Sequence, residues 1–296
     1  MNPLELSEAL AQVVRKNAAT VVALDGRPAG SSGVVVSVDG VVVTADHTLE
    51  REVGLSARLG DGREVVATLI GRDPLTGVAA LKLDAGGLAC AEWSSLDGLS
   101  VGHLVLALSR PGKAIRASLG IVGVLSEESW RSPAGGKLDR YLQTDLRPQF
   151  GFSGGLLVDA AGRALGMSNA ALLRGAAMAV PGATVKRVLE SLLSHGRVRR
   201  GFLGVGSYPI ELPAPLAALA GQGAGLLVVS VQPGGPAERA GLLLGDTLLS
   251  LDGQSLGDLS ELQTALDEER IGREATLKVI RAGQLHEAKV TVGVRP

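Results

Sequence analysis

A serine flanked by glycines is the sharpest chemical feature of the sequence. Ser153 lies in the pentapeptide Gly151-Phe152-Ser153-Gly154-Gly155. Such a loop can expose the serine Oγ, and its glycines let backbone N–H groups converge on one point, which is how a developing oxyanion is stabilised. A tight turn between two strands would give the same pattern. The pentapeptide alone therefore leaves a nucleophile and a structural turn both open.

A histidine in a second segment favours the nucleophile. His47 closes the tetrapeptide TADH, which follows two apolar runs that are typical of strands. A serine nucleophile needs a base to accept its proton, and histidine is the usual base at neutral pH. The other histidines, His103, His195 and His286, lie in polar or terminal contexts and are expected to be surface or structural residues.

Short apolar runs bounded by glycine and aspartate surround both residues. The first six strands are predicted at 20–24, 33–38, 41–44, 53–59, 64–70 and 78–83. The next six are predicted at 103–108, 115–125, 140–144, 156–159, 163–168 and 176–180. Six strands at this spacing suit a small closed antiparallel barrel, so the sequence predicts two six-stranded barrels.

Helical spacing and a basic connector define the domain organisation. Helices are predicted at 4–14 and 184–193, and the basic segment at 197–200 marks a boundary. Beyond it, strands at 202–206, 226–231, 247–251, 275–280 and 287–292 alternate with short helices at 236–240 and 259–268. We therefore predict two domains, residues 1–198 and 199–296, the second a mixed unit of strands and short helices.

Composition excludes several classes of function. Lys and Arg number 29 against 30 Asp and Glu, and no basic stripe is present, so the sequence predicts no nucleic-acid partner. Cys90 is the single cysteine, which excludes an internal disulfide, and its apolar neighbours favour a buried small side chain. Neither metal-ligand spacing nor a phosphate-binding loop is found, so we expect no cofactor.

The N-terminal residues determine the expected location. Residues 1–16 include Glu5, Glu8, Arg15 and Lys16 and contain no apolar segment. They are therefore typical of neither a signal peptide nor a membrane span. The sequence predicts a cytoplasmic protein, with a processed extracytoplasmic form as the alternative.

Four ordered matches, most of them made of two short segments, resemble the HtrA (Deg) family of serine proteases, and the resemblance covers nearly the whole chain. They are GSSG at 30–33 with TADH at 44–47, QTD at 143–145 with GFSGG at 151–155, AMAVP at 177–181 with VKRV at 185–188, and RGFLGV at 200–205. The resemblance implies a mainly β protein. Its trypsin-like protease domain would be a chymotrypsin-like double six-stranded β-barrel, followed by a PDZ domain of strands and short helices.

The resemblance also implies an active site with one member missing. His47 would be the general base, Ser153 the nucleophile, and the N–H groups of Gly151 and Ser153 the oxyanion donors. The family's third triad residue is the aspartate of a TDLAVLK segment, which here is TGVAALK at 76–82, so Gly77 occupies the aspartate's position. In a serine protease with the full triad, replacing this aspartate by asparagine lowers turnover about 10⁴-fold.

No nearby acid is expected to replace the missing aspartate. Asp46 adjoins His47 and would point the other way along an extended segment, and Asp73 resembles a turn residue of the family. Phe152 stands where the family has Asn or Asp, which puts the conformation of the oxyanion loop in doubt.

A peptide-binding site is implied in the second domain. Phe202, Leu203, Gly204 and Val205 resemble the carboxylate-binding loop of PDZ domains. Backbone N–H groups of such a loop bind a peptide's terminal carboxylate, and the following strand edge accepts the peptide as an added strand. A helix carrying Leu259, Leu262 and Leu266 would form the other wall, although the same spacing is expected of a core face.

Two functions from different classes follow. The first is an HtrA-like serine endopeptidase of protein quality control, whose partners are unfolded polypeptides or protein C-termini held by the PDZ groove. The alternative is a catalytically impaired pseudoprotease that serves as a PDZ peptide-binding or chaperone-like module. Ser153 and His47 favour the first function, and Gly77 and Phe152 favour the second; a small-molecule esterase has little support. Because family members are often trimeric, a homotrimer is a candidate assembly.

Overall fold

A computed structural model describes residues 2–28, 30–147 and 149–295. The chain folds into two compact units, residues 1–198 and 199–296. Three short 3₁₀ turns accompany the regular elements, at Ala18–Thr20, Asp46–Thr48 and Glu268–Arg270. The turn at Asp46–Thr48 matters most here, because it carries His47.

Among its described residues, the first unit begins with a helix, continues as fourteen strands and ends in a second helix. In chain order these are α1 (Pro3–Asn17), β1 (Val21–Leu24), β2 (Ser31–Val35), β3 (Val41–Ala45), β4 (Leu55–Arg58), β5 (Glu64–Asp73), β6 (Val78–Leu83), β7 (Leu104–Ser109), β8 (Arg116–Leu125), β9 (Trp130–Arg131), β10 (Lys137–Leu138), β11 (Leu142–Thr144), β12 (Leu156–Asp159), β13 (Ala164–Asn169), β14 (Ala177–Pro181) and α2 (Gly182–His195). The side chain of Asn2 caps α1, and α2 ends at Gly196, whose φ is +70°.

Two closed antiparallel barrels are built from these strands. The first has the order β1-β2-β3-β6-β5-β4, and the second has the order β11-β14-β13-β12-β7-β8. Strands β9 and β10 form a separate hairpin. In β1, β2 and β3 every residue is buried, because alternate side chains serve two cores. Val22 and Val42 fill the first barrel, whereas Val21 and Val43 pack in the cluster that the first barrel shares with the second.

The second unit is a sheet with short helices. Its elements are β15 (Gly201–Phe202), β16 (Val205–Glu211), α3 (Ala214–Ala220), β17 (Ala224–Val231), α4 (Pro236–Arg239), β18 (Thr247–Leu251), β19 (Gln254–Ser255), α5 (Leu259–Ala265), β20 (Glu274–Arg281), β21 (Gln284–Thr291) and β22 (Gly293–Val294). The main sheet has the order β16-β17-β18-β20-β21, with β19 paired to β18, so β16 is an edge strand. Strands β15 and β22 pair separately.

The fold class predicted from the sequence is confirmed. Two six-stranded barrels precede a unit of strands and short helices, and β6, β12 and β18 have the predicted bounds. The β9–β10 hairpin was not predicted, since strands of two residues leave no period to detect. Helix α3 was likewise missed, because its alanines carry little amphipathic signal.

Candidate active site

The loop around Ser153 is held by close backbone contacts that only glycine permits. A Cβ at Gly154 would lie 2.1 Å from the carbonyl oxygen of Ser32, and one at Gly155 would lie 2.2 Å from that of Leu108. Gly154 also has a φ of +83°, which disfavours other residues. The N–H of Gly154 donates to Ser168 O (2.8 Å), so the loop is fixed to β13. The glycines of GFSGG are therefore structural requirements of the loop.

The orientation of the loop leaves two N–H groups available. The Oγ of Ser32 donates to the carbonyl oxygen of Gly151 (2.8 Å) and accepts from the N–H of Arg110 (2.8 Å). Across the described ranges, no backbone hydrogen bond uses the N–H of Gly151 or of Ser153. Ser153 is buried, and its Oγ accepts a hydrogen bond from the N–H of Ala170 (3.1 Å). The two predicted oxyanion donors thus have no competing partner there.

Phe152 points into the second barrel. Its side chain is buried in the cluster that includes Val105, Ala107 and Leu157. It also lines a small cavity of about 30 Å³ beside Ser153, whose other lining residues include Thr144 and Met178. The phenyl ring therefore forms part of a side-chain pocket next to the nucleophile candidate.

His47 lies on the opposite side of the site, in the 3₁₀ turn after β3. The turn is fixed by Thr48 Oγ1, which donates to Ala45 O (2.8 Å), and by the N–H of Asp46, which donates to Gly77 O (3.0 Å). The His47 side chain is exposed by surface area, yet neighbouring atoms remove enough hydration to lower its pKa. The positive charge of Arg27 lowers this pKa further, and Asp46 opposes both effects.

No hydrogen bond joins His47 to Ser153 within the ranges that the structure describes. The His47 imidazole has no hydrogen bond there, and Ser153 Oγ accepts one from the N–H of Ala170. The two side chains line separate cavities. The cavity beside His47 has a volume of about 320 Å³ and is also lined by Gly77.

Both acids near His47 are engaged elsewhere. Asp46 Oδ1 accepts from Arg72 Nε (2.5 Å), and this bond is the main reason why the Arg72 pKa is raised. Asp73 is buried and accepts from the hydroxyl of Thr76 (2.7 Å) and the N–H of Leu75 (3.3 Å) within its own turn.

The space beside Gly77 is occupied by Asn169, a residue that sequence reasoning missed. Gly77 has a φ of +69°, and a Cβ there would lie 2.4 Å from Asn169 Nδ2. The same Nδ2 donates to Gly77 O (2.9 Å), and Asn169 Oδ1 accepts from the N–H of Ala171 (3.0 Å). Asn169 lines both cavities, the one beside Ser153 and the one beside His47. One lone asparagine 92 residues away in sequence gave no signal for this contact.

In the second unit, the predicted segment 202–205 begins at the end of β15 and reaches the first residue of the edge strand β16, with Leu203 and Gly204 as the loop between them. The carbonyl oxygens of Leu203 and Gly204 accept from Ala237 N (2.7 Å) and Gln232 N (2.8 Å). Within the part of the chain that is described, no backbone hydrogen bond uses the N–H of either residue. Gly204 has a φ of +81°. The loop thus has donors without backbone partners next to a strand with one unpaired edge.

Helix α5 lies beside β16, and its leucines differ in exposure. Leu262 is 7% exposed and belongs to the core of the unit, whereas Leu259 is 44% exposed. Leu266 follows the helix and packs against the same core. Of the three predicted groove residues, Leu259 offers the most apolar surface to a ligand.

Known protein families and solved structures resemble this chain. A family model of a trypsin-like peptidase domain matches residues 31–167, and one of a PDZ domain matches residues 201–292. A solved structure of the HtrA-type protease AlgW with a decapeptide has 30% identity and a TM-score of 0.80, over 97% of this chain and 99% of its own. The serine endoprotease from Yersinia pestis has 27% identity and a TM-score of 0.78, over 97% and 98%.

Bacterial relatives of greater length are also similar. A probable periplasmic serine endoprotease, DegP-like, from Chlamydia muridarum is 33% identical over 88% of this chain and 53% of its own length. A probable periplasmic serine protease, do/HhoA-like, from Haemophilus influenzae is 30% identical over 88% of this chain and 57% of its own. The chain therefore spans about half the length of these relatives.

The expectation of a cytoplasmic protein is wrong. The relatives are named as periplasmic proteins. The expectation rested on the lack of an apolar segment in residues 1–16, and such a lack does not identify a compartment. As a separate finding, none of the helices in the described ranges is long and apolar enough to cross a membrane.

Proposed function

This chain belongs to the HtrA family of serine proteases, and on that premise we propose that it is an endopeptidase that cleaves unfolded polypeptides outside the cytoplasm. Ser153 is the nucleophile, His47 the general base, and the N–H groups of Gly151 and Ser153 are the oxyanion donors. Residues 1–198 form the protease domain and residues 199–296 the PDZ domain.

The proposed reaction follows from the chemistry of these groups. Ser153 Oγ attacks the carbonyl carbon of the scissile peptide bond while His47 accepts its proton. The carbonyl oxygen becomes an oxyanion that the two N–H groups stabilise, and His47 then returns the proton to the departing amine. Water hydrolyses the resulting ester by the same steps. The N–H of Ala170 uses only a lone pair of Ser153 Oγ, so the hydroxyl proton stays free to be donated. Since no hydrogen bond from Ser153 to the His47 imidazole is found within the described ranges, the first step requires the imidazole to come within hydrogen-bond reach as substrate binds.

The observation that carries the proposal is the construction of the serine loop. Its two oxyanion donors have no backbone acceptor within the described ranges, and a side-chain cavity adjoins Ser153. A tight turn would require the glycines in either case, since a Cβ added at Gly154 or Gly155 would lie only 2.1 or 2.2 Å from a backbone oxygen. It would require neither N–H groups without a backbone acceptor nor an adjoining cavity, so these two features support the nucleophile over the structural turn.

The alternative function is a catalytically impaired, peptide-binding module, and one observation favours it. Gly77 leaves His47 without the carboxylate that stabilises an imidazolium. The PDZ loop at 202–205 serves peptide binding under either function, and a structural relative was solved with a decapeptide. For this chain, we propose that the loop binds the C-terminal carboxylate of unfolded polypeptides.

Hydrolysis of unfolded casein tests the endopeptidase proposal. The natural chain should release peptides, Ser153→Ala should release none above background, and Ser100→Ala should match the natural chain. Ser100 is an exposed serine of the same unit, so the control makes the same chemical change away from the site. Equal rates for the natural chain and Ser153→Ala would overturn the proposal and favour the peptide-binding alternative.

A further inference from the structure

We propose that Asn169 positions His47 in place of the missing triad aspartate, with its side-chain oxygen accepting the Nδ1–H of the imidazole. The inference deepens the proposed endopeptidase function and rests on it. Asn169 is a positioning residue in this account, because it acts through His47.

The carbonyl oxygen of Gly77 joins the two residues. It accepts one hydrogen bond from the N–H of Asp46 (3.0 Å), which directly precedes His47, and another from Asn169 Nδ2 (2.9 Å). The turn that carries His47 and the amide of Asn169 are thus fixed to the same atom. The next residue, Ala170, donates to Ser153 Oγ (3.1 Å). The segment 169–170 therefore connects the base to the nucleophile.

The Asn169 amide and an aspartate at position 77 exclude each other. A Cβ at Gly77 would lie 2.4 Å from Asn169 Nδ2, far inside van der Waals contact. Asparagine at 169 is therefore compatible with glycine at 77, and its amide takes the space into which a side chain from position 77 would project. The absence of a carboxylate at position 77 is therefore linked to the presence of the Asn169 amide, because the two cannot occupy the same space.

Within the described ranges, the side-chain oxygen of Asn169 accepts a single hydrogen bond. Asn169 is 1% exposed and lines the cavity that His47 also lines. Its Oδ1 accepts from the N–H of Ala171 (3.0 Å), and an amide oxygen has two lone pairs. The second lone pair is the proposed acceptor for Nδ1–H, which leaves Nε2 unprotonated and able to act as base. Asparagine performs this role beside the histidine of papain-like cysteine proteases.

The charged groups around His47 do not supply an alternative. Asp46 is bound by Arg72, and Asp73 is bound within its own turn. Arg27 acts on the imidazole as a positive charge, and Arg174 lines the same cavity. An amide sets the tautomer without stabilising the imidazolium by charge, so the expected enzyme is slower than one with a complete triad and faster than one with no acceptor.

The tautomer of His47 can be measured without any hydrolysis. In the full chain carrying Ser153→Ala, ¹⁵N NMR of the imidazoles above their pKa reports which nitrogen is protonated, and His47→Gln identifies the signal. We expect Nδ1–H with Asn169 present and a shift toward Nε2–H in Asn169→Ala. Asn17→Ala is the matched control, because Asn17 is a buried asparagine that bonds two backbone carbonyls of the same unit. An Nε2–H imidazole in the natural background would overturn the proposal, whether or not Asn169→Ala folds.

Kinetics separate positioning from a purely structural role. We expect Asn169→Ala to lower kcat at least tenfold with little change in KM. Asn169→Asp cannot donate to Gly77 O, so its rate does not separate the two roles, but it should move the acidic limb of the pH profile upward, because a carboxylate favours the imidazolium. A structural role predicts the same acidic limb for Asn169→Asp and the natural chain, and that result would overturn the proposal. If the natural chain and Ser153→Ala hydrolyse casein equally, the endopeptidase proposal fails, and the NMR result still decides the role of Asn169.

Discussion

The hydroxyl of Ser32 donates to the carbonyl oxygen of Gly151 across 2.8 Å and joins the second strand of the first barrel to the serine loop of the second. The same hydroxyl oxygen accepts from the N–H of Arg110 (2.8 Å), so one buried atom bonds to the serine loop and to the residue that follows β7. That carbonyl shares its peptide plane with the N–H of Phe152, so the bond fixes the peptide that links the two proposed oxyanion donors, the N–H groups of Gly151 and Ser153. The first barrel therefore helps to orient the proposed oxyanion donors, in addition to carrying His47.

Ser32→Ala should lower kcat for casein and leave KM nearly unchanged, because the oxyanion donors lose their anchor. The free energy of unfolding should fall by about 1–3 kcal/mol, the usual cost of leaving a buried polar partner unsatisfied. Ser31→Ala is the matched control, since Ser31 is a buried neighbour whose Oγ bonds Leu24 O within the first barrel. Steady-state kinetics and urea unfolding measure both quantities. An unchanged kcat in Ser32→Ala would contradict the orienting role.

Gly77→Asp by itself should not restore a triad. The φ of +69° costs a side chain conformational strain, and the new Cβ would meet Asn169 Nδ2 at 2.4 Å. The double variant Gly77→Asp with Asn169→Ala removes the clash, and we expect its kcat to exceed those of both single variants. Casein hydrolysis of the four chains measures the coupling. A gain in Gly77→Asp alone equal to that of the double variant would show that Asn169 does not compete for the space.

The pH profile of kcat/KM should have its acidic limb below the ordinary histidine value of about 6.5. His47 acts as base only when unprotonated, and desolvation and the charge of Arg27 both lower its pKa. Arg27→Gln removes the charge and should move the limb to higher pH, although desolvation, the larger cause, remains. Arg27→Lys keeps the charge and serves as the control. Superimposable profiles for Arg27→Gln and the natural chain would contradict this assignment.

The sequence was informative where local pattern determines structure. Bounded apolar runs predicted both barrels, and β6, β12 and β18 have the predicted bounds. The assignment of Gly77 to the position of the triad aspartate also came from pattern, through the resemblance of the segment at 76–82 to its family counterpart, and it stays a prediction.

The long-range contacts of the site could not be predicted in the same way. Asn169 meets Gly77 across 92 residues, and Ser32 meets Gly151 across 119. Each contact depends on how the two barrels pack, and a single asparagine or serine has no periodic signal. Phe152 was interpreted as a disturbance of the oxyanion loop, whereas its ring is buried in the second barrel. The direction of a side chain in an irregular loop follows from tertiary packing, which one sequence does not determine.

The PDZ loop should bind peptides with a free C-terminal carboxylate and not their amidated counterparts. Gly204→Ala should weaken binding about tenfold, because a φ of +81° costs an alanine roughly 1–2 kcal/mol and shifts the loop donors. Gly221→Ala is the control, with a similar φ of +71° at the end of α3, away from the loop. Fluorescence anisotropy with labelled peptides and full-length Ser153→Ala measures the affinities. Equal binding of free and amidated peptides would show that the loop does not bind the carboxylate.

Phe152→Ala should change which peptide bonds are cleaved. The ring lines the cavity beside Ser153 and is packed in the second barrel's core, so its removal enlarges the pocket and destabilises the fold by about 3–5 kcal/mol. Leu165→Ala is the matched control, because Leu165 is buried in the same cluster and does not line the cavity. Both variants should unfold at lower urea concentration, but only Phe152→Ala should shift cleavage of casein toward bonds after larger side chains, as read by mass spectrometry of the products. Since both variants lose core packing, a shift shared by Phe152→Ala and Leu165→Ala would assign the change to loosened structure, and the ring would then have no direct role in substrate selection.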